Sequence, residues 1–420
     1  MSEFTRRNIC EGVNFASITD DRFKLGRLSA TLITPLSKES AAANALLSCV
    51  LTRSCKKYPD FTALNRKLDS LYGAALYPSI RQLGDCQALT LTVTGLDDRY
   101  ALDDEAVSSQ LAELLCSIIF DPNVTNGKFS DEDVEQERRE LIESIDADYN
   151  EKRTYAIKRC IEVMCKDEIY SVGRIGSRED VQGVTHADIY SAWKNLLSNA
   201  RIELTMLGNT PPEKAFDSFC GYFDGKPRKF RYTPPTPVTP GEVRRIAETD
   251  DVVQSKLVMG LRCMIPQTNE DIIASALMSA VLGGTPTSKL FMNVREKQSL
   301  CYYCVSRVDS YKGLMLIDSG VETDNIEKTE KAVMEQIELL KSGCLTDDEF
   351  DAAKLALKNV YMSSLDSLAA LQSFYIGSVL QKEMMTPEQA AKAVDLVSKD
   401  RIIELANTLQ PDTVFSLVGN

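Results

Sequence analysis

The chain of 420 residues is long enough to bury large cores and to fold as more than one domain. Its 61 acidic residues exceed the 48 basic ones and give a formal net charge of −13, which argues against nucleic acid or an anionic membrane as the main partner, because both require clustered Lys and Arg. No stretch is apolar over the length of a membrane-spanning helix, and the N-terminus lacks the apolar core of a signal peptide, so we expect a cytoplasmic protein.

The first half of the chain alternates predicted strands and helices. Apolar periodicity predicts strands at 22–33, 74–80, 87–94 and 202–207, and helices at 41–51, 61–71, 107–119 and 130–148. The last of these helices begins at a capping box, Ser130-Asp131-Glu132-Asp133. A later helix is capped by Thr185, which places His186, the single histidine of the chain, in its first turn. We expect His186 to be exposed and structural.

Five prolines interrupt the chain between 224 and 240, with almost no apolar periodicity around them. They are Pro227, Pro234, Pro235, Pro237 and Pro240. This composition predicts a linker stiffened by proline at 224–245, between an N-terminal domain at 1–223 and a C-terminal domain at 246–420.

The second half repeats the order of the first. Strands are predicted at 256–261, 313–320 and 414–418, and helices at 272–282 and 325–341. A second capping box, Thr346-Asp347-Asp348-Glu349, again opens a long helix, and both halves end in a strand followed by Gly-Asn. The simplest explanation is an internal duplication. We therefore predict an α+β fold of two homologous domains, each a mainly antiparallel sheet with helices packed on one face.

Residues 282–307, here called the anchor segment, place an arginine and a tyrosine near a predicted corner. Gly283-Gly284 is expected to form a turn with positive φ, and Pro286 and Ser288 to begin a helix that Ser288 caps. Arg295 then ends the helix and Tyr302 begins a strand. The two side chains could therefore point into one cavity.

The twelve cysteines show no paired framework, so we expect reduced, structural thiols. Cys301 and Cys304 form the only C-x-x-C of the chain. A structural zinc site usually takes four ligands from two such pairs, so we predict no metal here.

The anchor segment, L-G-G-T-P-T-S-K-L-F-M-N-V-R-E-K-Q-S-L-C-Y-Y, resembles the insulinase/pitrilysin-type (inverzincin) metallopeptidase family. The C-terminal half of a duplicated pair carries a similar run in that family. Supporting stretches are Lys57-Tyr58-Pro59, Leu71-Tyr72-Gly73-Ala74 and the residues at 134–138 and 164–168. The resemblance covers essentially the whole chain and points to a non-catalytic bacterial branch, whose members are associated with aminopentanol modification of elongation factor P.

The zinc motif of that family, H-x-x-E-H followed by a distal glutamate, cannot exist in a chain with one histidine. The positions that match the motif are Ala45, Ser48 and Cys49, and the distal ligand position matches Ser144. These residues cannot rebuild a zinc hydrolase site, and one thiolate at Cys49 would hold zinc poorly. The chain is therefore expected to lack metal, cofactor and zinc-dependent activity on its own.

The resemblance implies a different role for Arg295 and Tyr302, because in active relatives such a pair reaches the zinc-bound substrate. A guanidinium can grip peptide carbonyls, and a tyrosine hydroxyl can donate to the oxyanion of amide hydrolysis. The structural alternative is that Arg295 pairs with Glu296 or Asp309 and that Tyr302 merely packs. Gly283 and Gly284 could likewise form a substrate-contacting glycine loop or, more simply, a helix-entry turn.

The leading hypothesis is a catalytically inactive subunit of a two-chain zinc metallopeptidase. A partner bearing H-x-x-E-H would supply the zinc, and this chain would supply half of the chamber, an edge strand for an extended peptide, and Arg295 with Tyr302. The alternatives are a structural scaffold and a homodimeric peptide-binding protein without chemistry. A cysteine enzyme is the weakest option, because His186 has no evident nucleophile beside it.

Overall fold

A computed structural model describes residues 3–223, 228–229 and 238–419. Most of the predicted linker, including four of its five prolines, lies outside the described residues. Its last two positions, Arg244 and Arg245, belong to a strand. No helix in the described part of the chain is long and apolar enough to cross a membrane.

The first half of the chain contains strands β1–β6 and helices α1–α8. In chain order these are β1 (Glu3–Cys10), β2 (Val13–Thr19), β3 (Leu25–Pro35), α1 (Ala41–Val50), α2 (Phe61–Ser70), β4 (Ala75–Leu83), β5 (Cys86–Leu96), α3 (Val107–Phe120), α4 (Asp131–Asn150), α5 (Lys152–Met164), α6 (Arg178–Gly183), α7 (His186–Asn199), β6 (Arg201–Gly208) and α8 (Glu213–Phe223).

The second half contains strands β7–β11, helices α9–α14 and two π-helical segments. In chain order these are β7 (Arg244–Asp250), β8 (Ser255–Arg262), α9 (Asn269–Ser279), the π-helical segments Ala280–Gly284 and Leu290–Lys297, β9 (Cys301–Asp309), β10 (Leu314–Val321), α10 (Ile326–Lys341), α11 (Asp347–Ser363), α12 (Leu368–Ser378), α13 (Pro387–Leu396), α14 (Lys399–Asn407) and β11 (Gln410–Gly419).

The two sheets have the same topology, which confirms the predicted duplicated α+β fold. Unit 1 holds the order β1-β2-β6-β3-β5-β4, and unit 2 holds β7-β11-β8-β10-β9. Each sheet contains one parallel pair, β2 with β6 and β7 with β11, and its other neighbours run antiparallel. If β1 is set aside, the two orders correspond strand by strand. The sequence analysis missed β1, β2 and β7. Of these, β1 and β7 are polar edge strands that lack a clear apolar alternation.

The compact units interleave along the chain, whereas the predicted domains at 1–223 and 246–420 are contiguous. Unit 1 comprises Met1–Ile145, Val172–Thr233 and Leu368–Ile376; unit 2 comprises Asp146–Ser171, Pro234–Ser367 and Gly377–Asn420. Helix α5 of the first half thus belongs to unit 2, and most of α12 of the second half belongs to unit 1. The two helices hold equivalent places, since each follows a long helix whose N-terminus matches a capping-box sequence.

In unit 1, the two faces of the sheet differ in chemistry. On β3, Leu28, Ala30 and Leu32 join the apolar core with the helices, while Ser29 and Thr31 point to the opposite face. These polar side chains are buried and paired, Thr31 with the Thr90 hydroxyl at 2.9 Å. Helix α12 lies over this second face. There the Gln372 amide donates to the Thr92 hydroxyl at 3.0 Å, and Tyr375 stacks on Phe4 with ring centroids 5.0 Å apart.

In unit 2, α5 covers the corresponding face. Ala156 and Cys160 pack with Val258 of β8 and Phe415 of β11. Met164 packs directly against Gly260 of β8. A Cβ at position 260 would lie 2.6 Å from the Met164 sulfur, so glycine is needed at this position. The buried Leu257, Met259 and Leu261 alternate with these positions and so face the other side of the sheet.

A buried ionic cluster ties the end of the α5 segment to unit 2. Arg262 donates to Asp412 at 2.9 Å and to Glu168 at 2.6 Å, and Lys312 pairs with Glu168 at 2.9 Å. Removal of one member of a buried ion pair is strongly destabilising. The cluster therefore holds the segment Asp146–Ser171, which contains α5 and Glu168, in unit 2.

Candidate functional site

The anchor segment folds as two π-helical segments followed by β9. The segment Ala280–Gly284 continues α9, and Leu290–Lys297 carries Arg295. The predicted cap is wrong: the Ser288 hydroxyl is buried and has no hydrogen-bond partner among the described residues, and Pro286 lies in the preceding turn. Isolated π-helical turns inside helices often lie at functional sites, because the extra residue changes the direction of the side chains that follow.

Gly283 and Gly284 lie in a π-helical segment, and neither has the predicted positive φ. Gly283 is instead required by close packing: a Cβ there would lie 2.7 Å from the Ser306 backbone nitrogen and 2.8 Å from Leu290 Cδ1. Gly284 is less restricted, with its closest approach 3.3 Å from the Ser279 carbonyl oxygen. The predicted positive φ at these glycines is therefore wrong, and the need for glycine at position 283 comes from close packing. The substrate-contacting glycine loop stays a prediction.

A β-bulge at the start of β9 determines where Tyr302 points. Tyr303 pairs with Gly320 of β10 and Cys301 pairs with Val321, so Tyr302 is the extra residue between them. A bulge of this kind bends the strand and redirects the inserted side chain. Tyr303 is half-buried, with the Arg153 guanidinium 4.4 Å from the centroid of its ring. Tyr302 instead turns toward solvent, with 58% of its surface exposed.

Arg295 and Tyr302 line one cavity of about 410 Å³ in unit 2. The other lining residues come from the same π-helical segment, the turn before β9, and the end of β10; they are Glu296, Ser299, Leu300, Cys301, Glu322 and Asn325. The structure therefore brings together the two residues that the sequence analysis singled out. Gly283 and Gly284 are not among the residues that line it.

The Arg295 side chain is partly free. Its Nη1 lies 3.4 Å from Glu296 Oε1, and its guanidinium carbon lies 4.5 Å from the centroid of the Phe291 ring. Stacking on an aromatic face fixes the plane of the guanidinium and leaves donors on its edge. Of the two carboxylates considered from the sequence, Asp309 is instead engaged by the Tyr170 hydroxyl at 2.8 Å.

Glu322 is the residue of this cavity that the sequence analysis missed. The Tyr302 hydroxyl donates a hydrogen bond to Glu322 Oε1, so Tyr302 does more than pack. This hydrogen bond and the negative charge of Glu322 raise the pKa of the Tyr302 phenol above its usual range. A sequence signal existed, because Glu322 directly follows β10, the strand that pairs with the Tyr302 strand.

Cys301 and Cys304 both lie in the interior, because the bulge places two residues three apart on the same face of β9. A hydrogen bond to Cys304 lowers the pKa of Cys301, against the effect of burial and with help from the nearby Arg295 charge. All twelve cysteines are free thiols. No group of three or more His, Cys, Asp or Glu side chains suited to a metal occurs in the part of the chain that the structure describes.

The positions that match the zinc motif lie on α1 and α4 in unit 1. Ala45 is buried and offers no donor atom, and the Ser48 hydroxyl donates to the Ala45 carbonyl at 2.7 Å. Burial, and next the Glu137 carboxylate, raise the pKa of the Cys49 thiol to about 12. Ser144 is exposed on α4.

A cation already occupies the carboxylates beside these positions. Arg53 lies 3.5 Å from both Asp133 Oδ1 and Glu137 Oε1, and its guanidinium carbon lies 3.8 Å from the centroid of the Phe61 ring. Burial and the neighbouring Glu140 charge raise the pKa of Glu137, although Arg53 opposes this. Since the donor atoms are lost and an arginine engages the remaining acids, these residues do not fit zinc.

His186 is more buried than expected. Its side chain is 25% exposed, and its Nε2 lies 2.9 Å from Asp131 Oδ1. The pair joins the first turns of α7 and α4, and Thr185 forms the predicted cap of α7 through a capping box with Asp188.

The capping box at Thr346 and Glu349 of α11 is likewise present, whereas at Ser130 only the bond from the Asp133 N–H to the Ser130 hydroxyl, at 3.3 Å, is described.

The chain is similar to several known proteins in sequence and in fold. A family model described as the peptidase M16 inactive domain matches residues 183–357. The chain is 28% identical to the probable inactive metalloprotease YmfF of Bacillus subtilis (strain 168), over 97% of this chain and 96% of that protein. It is 24% identical to the mitochondrial-processing peptidase subunit beta of Saccharomyces cerevisiae, over 68% of this chain and 66% of the subunit. The crystal structure of a conserved protein from Enterococcus faecalis V583 superposes with a TM-score of 0.88, at 26% identity and 99% coverage of both chains.

Proposed function

Because this chain belongs to the insulinase/pitrilysin-type (M16) metallopeptidase family but has lost the residues that would bind zinc, we propose that it is the non-catalytic subunit of a two-chain zinc peptidase. A separate subunit with an H-x-x-E-H motif would supply the zinc and the general base. This chain would supply binding and transition-state contacts from unit 2, and no cofactor.

The observation that carries the proposal is the open cavity beside Arg295 and Tyr302. Arg295 offers guanidinium donors at the cavity wall, and Tyr302 offers a hydroxyl in reach of a molecule that enters. The arginine would bind a carbonyl oxygen of the peptide, and the tyrosine would donate to the oxyanion that develops when the amide is attacked. A chain selected only as a scaffold would have no need of these polar groups at an open cavity.

A free sheet edge supports the binding of an extended peptide. β9 is the last strand of the unit 2 sheet and, among the described residues, pairs only with β10. Its first residues, Cys301 and Tyr302, line the cavity. A peptide that added to this edge through main-chain hydrogen bonds would pass along the cavity with little sequence selectivity. The edge strand β4 of unit 1 suits this role less well, because Pro78 removes a donor from its middle.

One relative supports a two-chain assembly, since the mitochondrial-processing peptidase subunit beta is named as a subunit. A cytoplasmic location and an association with elongation factor P modification are further parts of the proposal. Both rest on the sequence analysis and on the family resemblance.

A mixing experiment tests the proposal. The purified chain is added to a purified H-x-x-E-H subunit from the same cell, and cleavage of a fluorogenic peptide library is measured. We expect cleavage to require both chains. Tyr302→Phe should lower turnover about 100-fold, in line with the loss of one oxyanion donor. Arg295→Ala should also lower turnover, because the peptide carbonyl loses its partner, and both variants should leave assembly unchanged in gel filtration. Lys297→Ala is the matched control, because Lys297 is exposed on the same segment and bonds Asn293 at 2.9 Å.

Other results identify the alternatives. If the partner cleaves peptides equally well without this chain, the proposed function is wrong. If the two chains assemble but Arg295→Ala and Tyr302→Phe both leave cleavage unchanged, the chain is a scaffold. If the chain elutes as a homodimer that binds peptides but no zinc-bearing subunit, it is a peptide-binding protein without chemistry.

A further inference from the structure

The Tyr302 hydroxyl has one proton, and that proton is directed at a carboxylate. Tyr302 Oη donates to Glu322 Oε1, and both residues line the cavity. Other titratable groups at this cavity are Arg295 and Glu296 from the π-helical segment and Cys301 from β9. Arg295 contacts Glu296 and Cys301 contacts Cys304, so Glu322 is the group that engages the phenol.

We propose that Glu322 is a positioning residue for Tyr302, which holds the phenol hydroxyl at the cavity and must release it before the hydroxyl can donate to a substrate. This inference rests on the proposed function for the role of Tyr302 and extends it with the group that controls that role. The bulge and the end of β10 bring the two side chains together, and residues of the π-helical segment complete the wall.

The chemistry of the pair gives Glu322 two opposing effects. As an acceptor, its carboxylate orients the phenol and stabilises the protonated hydroxyl, which is the form that can donate. As an anion, it retains the only donor and repels a developing oxyanion. A substrate oxygen must therefore displace Glu322, or Glu322 must take up a proton, before Tyr302 can serve the reaction. No proton is transferred from Tyr302 in this step, since only the acceptor of its hydrogen bond changes.

The first test uses the isolated chain and needs no partner. Tyrosine is labelled with ¹³C at Cζ, and the ring signals are titrated by NMR; Tyr302→Phe identifies the Tyr302 signal by its loss. We expect Tyr302 in the native chain to titrate above the ordinary tyrosine pKa of about 10, and in Glu322→Gln to titrate at a lower pH, because the amide keeps an acceptor but carries no charge. Glu296→Gln is the matched control, since Glu296 lines the same cavity and contacts Arg295; it should leave the Tyr302 titration unchanged.

The outcomes are separable from those of the proposed function. If Glu322→Gln leaves the Tyr302 titration unchanged while the variant retains native circular dichroism, the positioning role is wrong, whatever the assembled peptidase does. Glu322→Asp shortens the side chain by one methylene and withdraws the carboxylate from the Tyr302 hydroxyl. We expect Tyr302 to titrate at a lower pH in this variant as well, because the hydrogen bond is lost. The proposed function is tested separately by the loss of turnover in Tyr302→Phe.

The assembled peptidase provides the second readout. Glu322→Gln should raise kcat several-fold at neutral pH and flatten the acidic side of the pH profile. The reason is that the Tyr302 hydroxyl no longer has to break a hydrogen bond to a negatively charged carboxylate before it donates to the substrate. A general structural defect would instead lower kcat at every pH. A fall in kcat in Glu322→Gln, with the pH profile of the native complex, would overturn the release step.

Discussion

The two units of this chain share a duplicated fold but differ in the surroundings of the residues that the sequence analysis singled out. On α1 and α4 of unit 1, the positions that match a zinc site hold Ala45, Ser48, Cys49 and an exposed Ser144. The neighbouring Asp133 and Glu137 form ion pairs with Arg53. In unit 2, Arg295 and Tyr302 stay at the wall of an open cavity with their donors near solvent.

The difference lies in what the charged groups of each unit contact. In unit 1 the Arg53 guanidinium lies close to both Asp133 and Glu137, beside the positions that match the zinc motif, so the charges of these two acids are balanced. In unit 2 the side chains of Arg295 and Tyr302 are partly exposed, so their contacts contribute little to the stability of the fold. The presence of polar groups at an open cavity is easier to explain by binding than by stability.

The largest effect on stability should come from Arg53→Met in unit 1. Methionine keeps much of the side-chain volume but removes the cation, which leaves Asp133 and Glu137 as partly buried charges. We expect a loss of about 3 kcal/mol in the free energy of unfolding, at the lower end for a broken buried ion pair, measured by urea unfolding at pH 7.

Arg66→Met on α2 is the control, because Arg66 is exposed. It should change the free energy of unfolding by less than about 0.5 kcal/mol. Equal effects of the two substitutions would show that the ion pairs of Arg53 with Asp133 and Glu137 do not stabilise unit 1.

A smaller effect should come from Gly283→Ala in unit 2. The new Cβ would lie 2.7 Å from the Ser306 backbone nitrogen, and a backbone atom cannot move aside cheaply. We expect destabilisation of about 1–3 kcal/mol, as for overpacking of a core, in thermal and urea unfolding.

Gly284→Ala is the matched variant, since its closest contact would be 3.3 Å, and it should cost less than Gly283→Ala. Loss of peptide binding in Gly283→Ala without loss of stability would support the glycine-loop hypothesis and extend the functional surface of unit 2.

The smallest effect concerns the pH dependence of Glu137. Burial raises its pKa in the folded chain, so the folded state holds this proton more tightly than the unfolded state does. Glu137 therefore makes the native chain lose stability as pH rises from the unfolded value of about 4.3 through the raised folded value. The difference in free energy of unfolding between Glu137→Gln and the native chain should move in favour of the variant over that pH range.

Glu143→Gln, an exposed position on the same helix, should show no such trend. If the Glu137→Gln variant instead becomes relatively less stable as pH rises, the ion pair with Arg53 outweighs the effect of burial on Glu137.

Much of the fold could be predicted from the sequence, because strong apolar periodicity marked α1, α3 and β5 and capping boxes marked α7 and α11. The duplication followed from the repeated order of elements. The exchange of α5 and α12 could not, since amphipathic periodicity shows that a helix buries one face but not which sheet receives it.

The candidate site was predictable in part. A single histidine was enough to exclude H-x-x-E-H, and the anchor segment drew attention to Arg295 and Tyr302. Arg53 and Glu322 were missed, because each finds its partner across a tertiary contact: 80 residues or more separate Arg53 from its acids, and 20 separate Tyr302 from Glu322. The local conformation of Gly283 was wrong because crowding against Ser306 leaves no trace in the local sequence.

The exchange of α5 and α12 has a consequence for synthesis. Translation proceeds from the N-terminus, and unit 1 lacks its last segment until Ile376 of the 420 residues has been made. Until then the polar face of its sheet lacks its contacts with Gln372 and Tyr375. Helix α5 likewise lacks its packing partners until β8 and β11 have been made. Neither unit can finish folding as one contiguous block of the chain, so both must wait until most of the chain has been made.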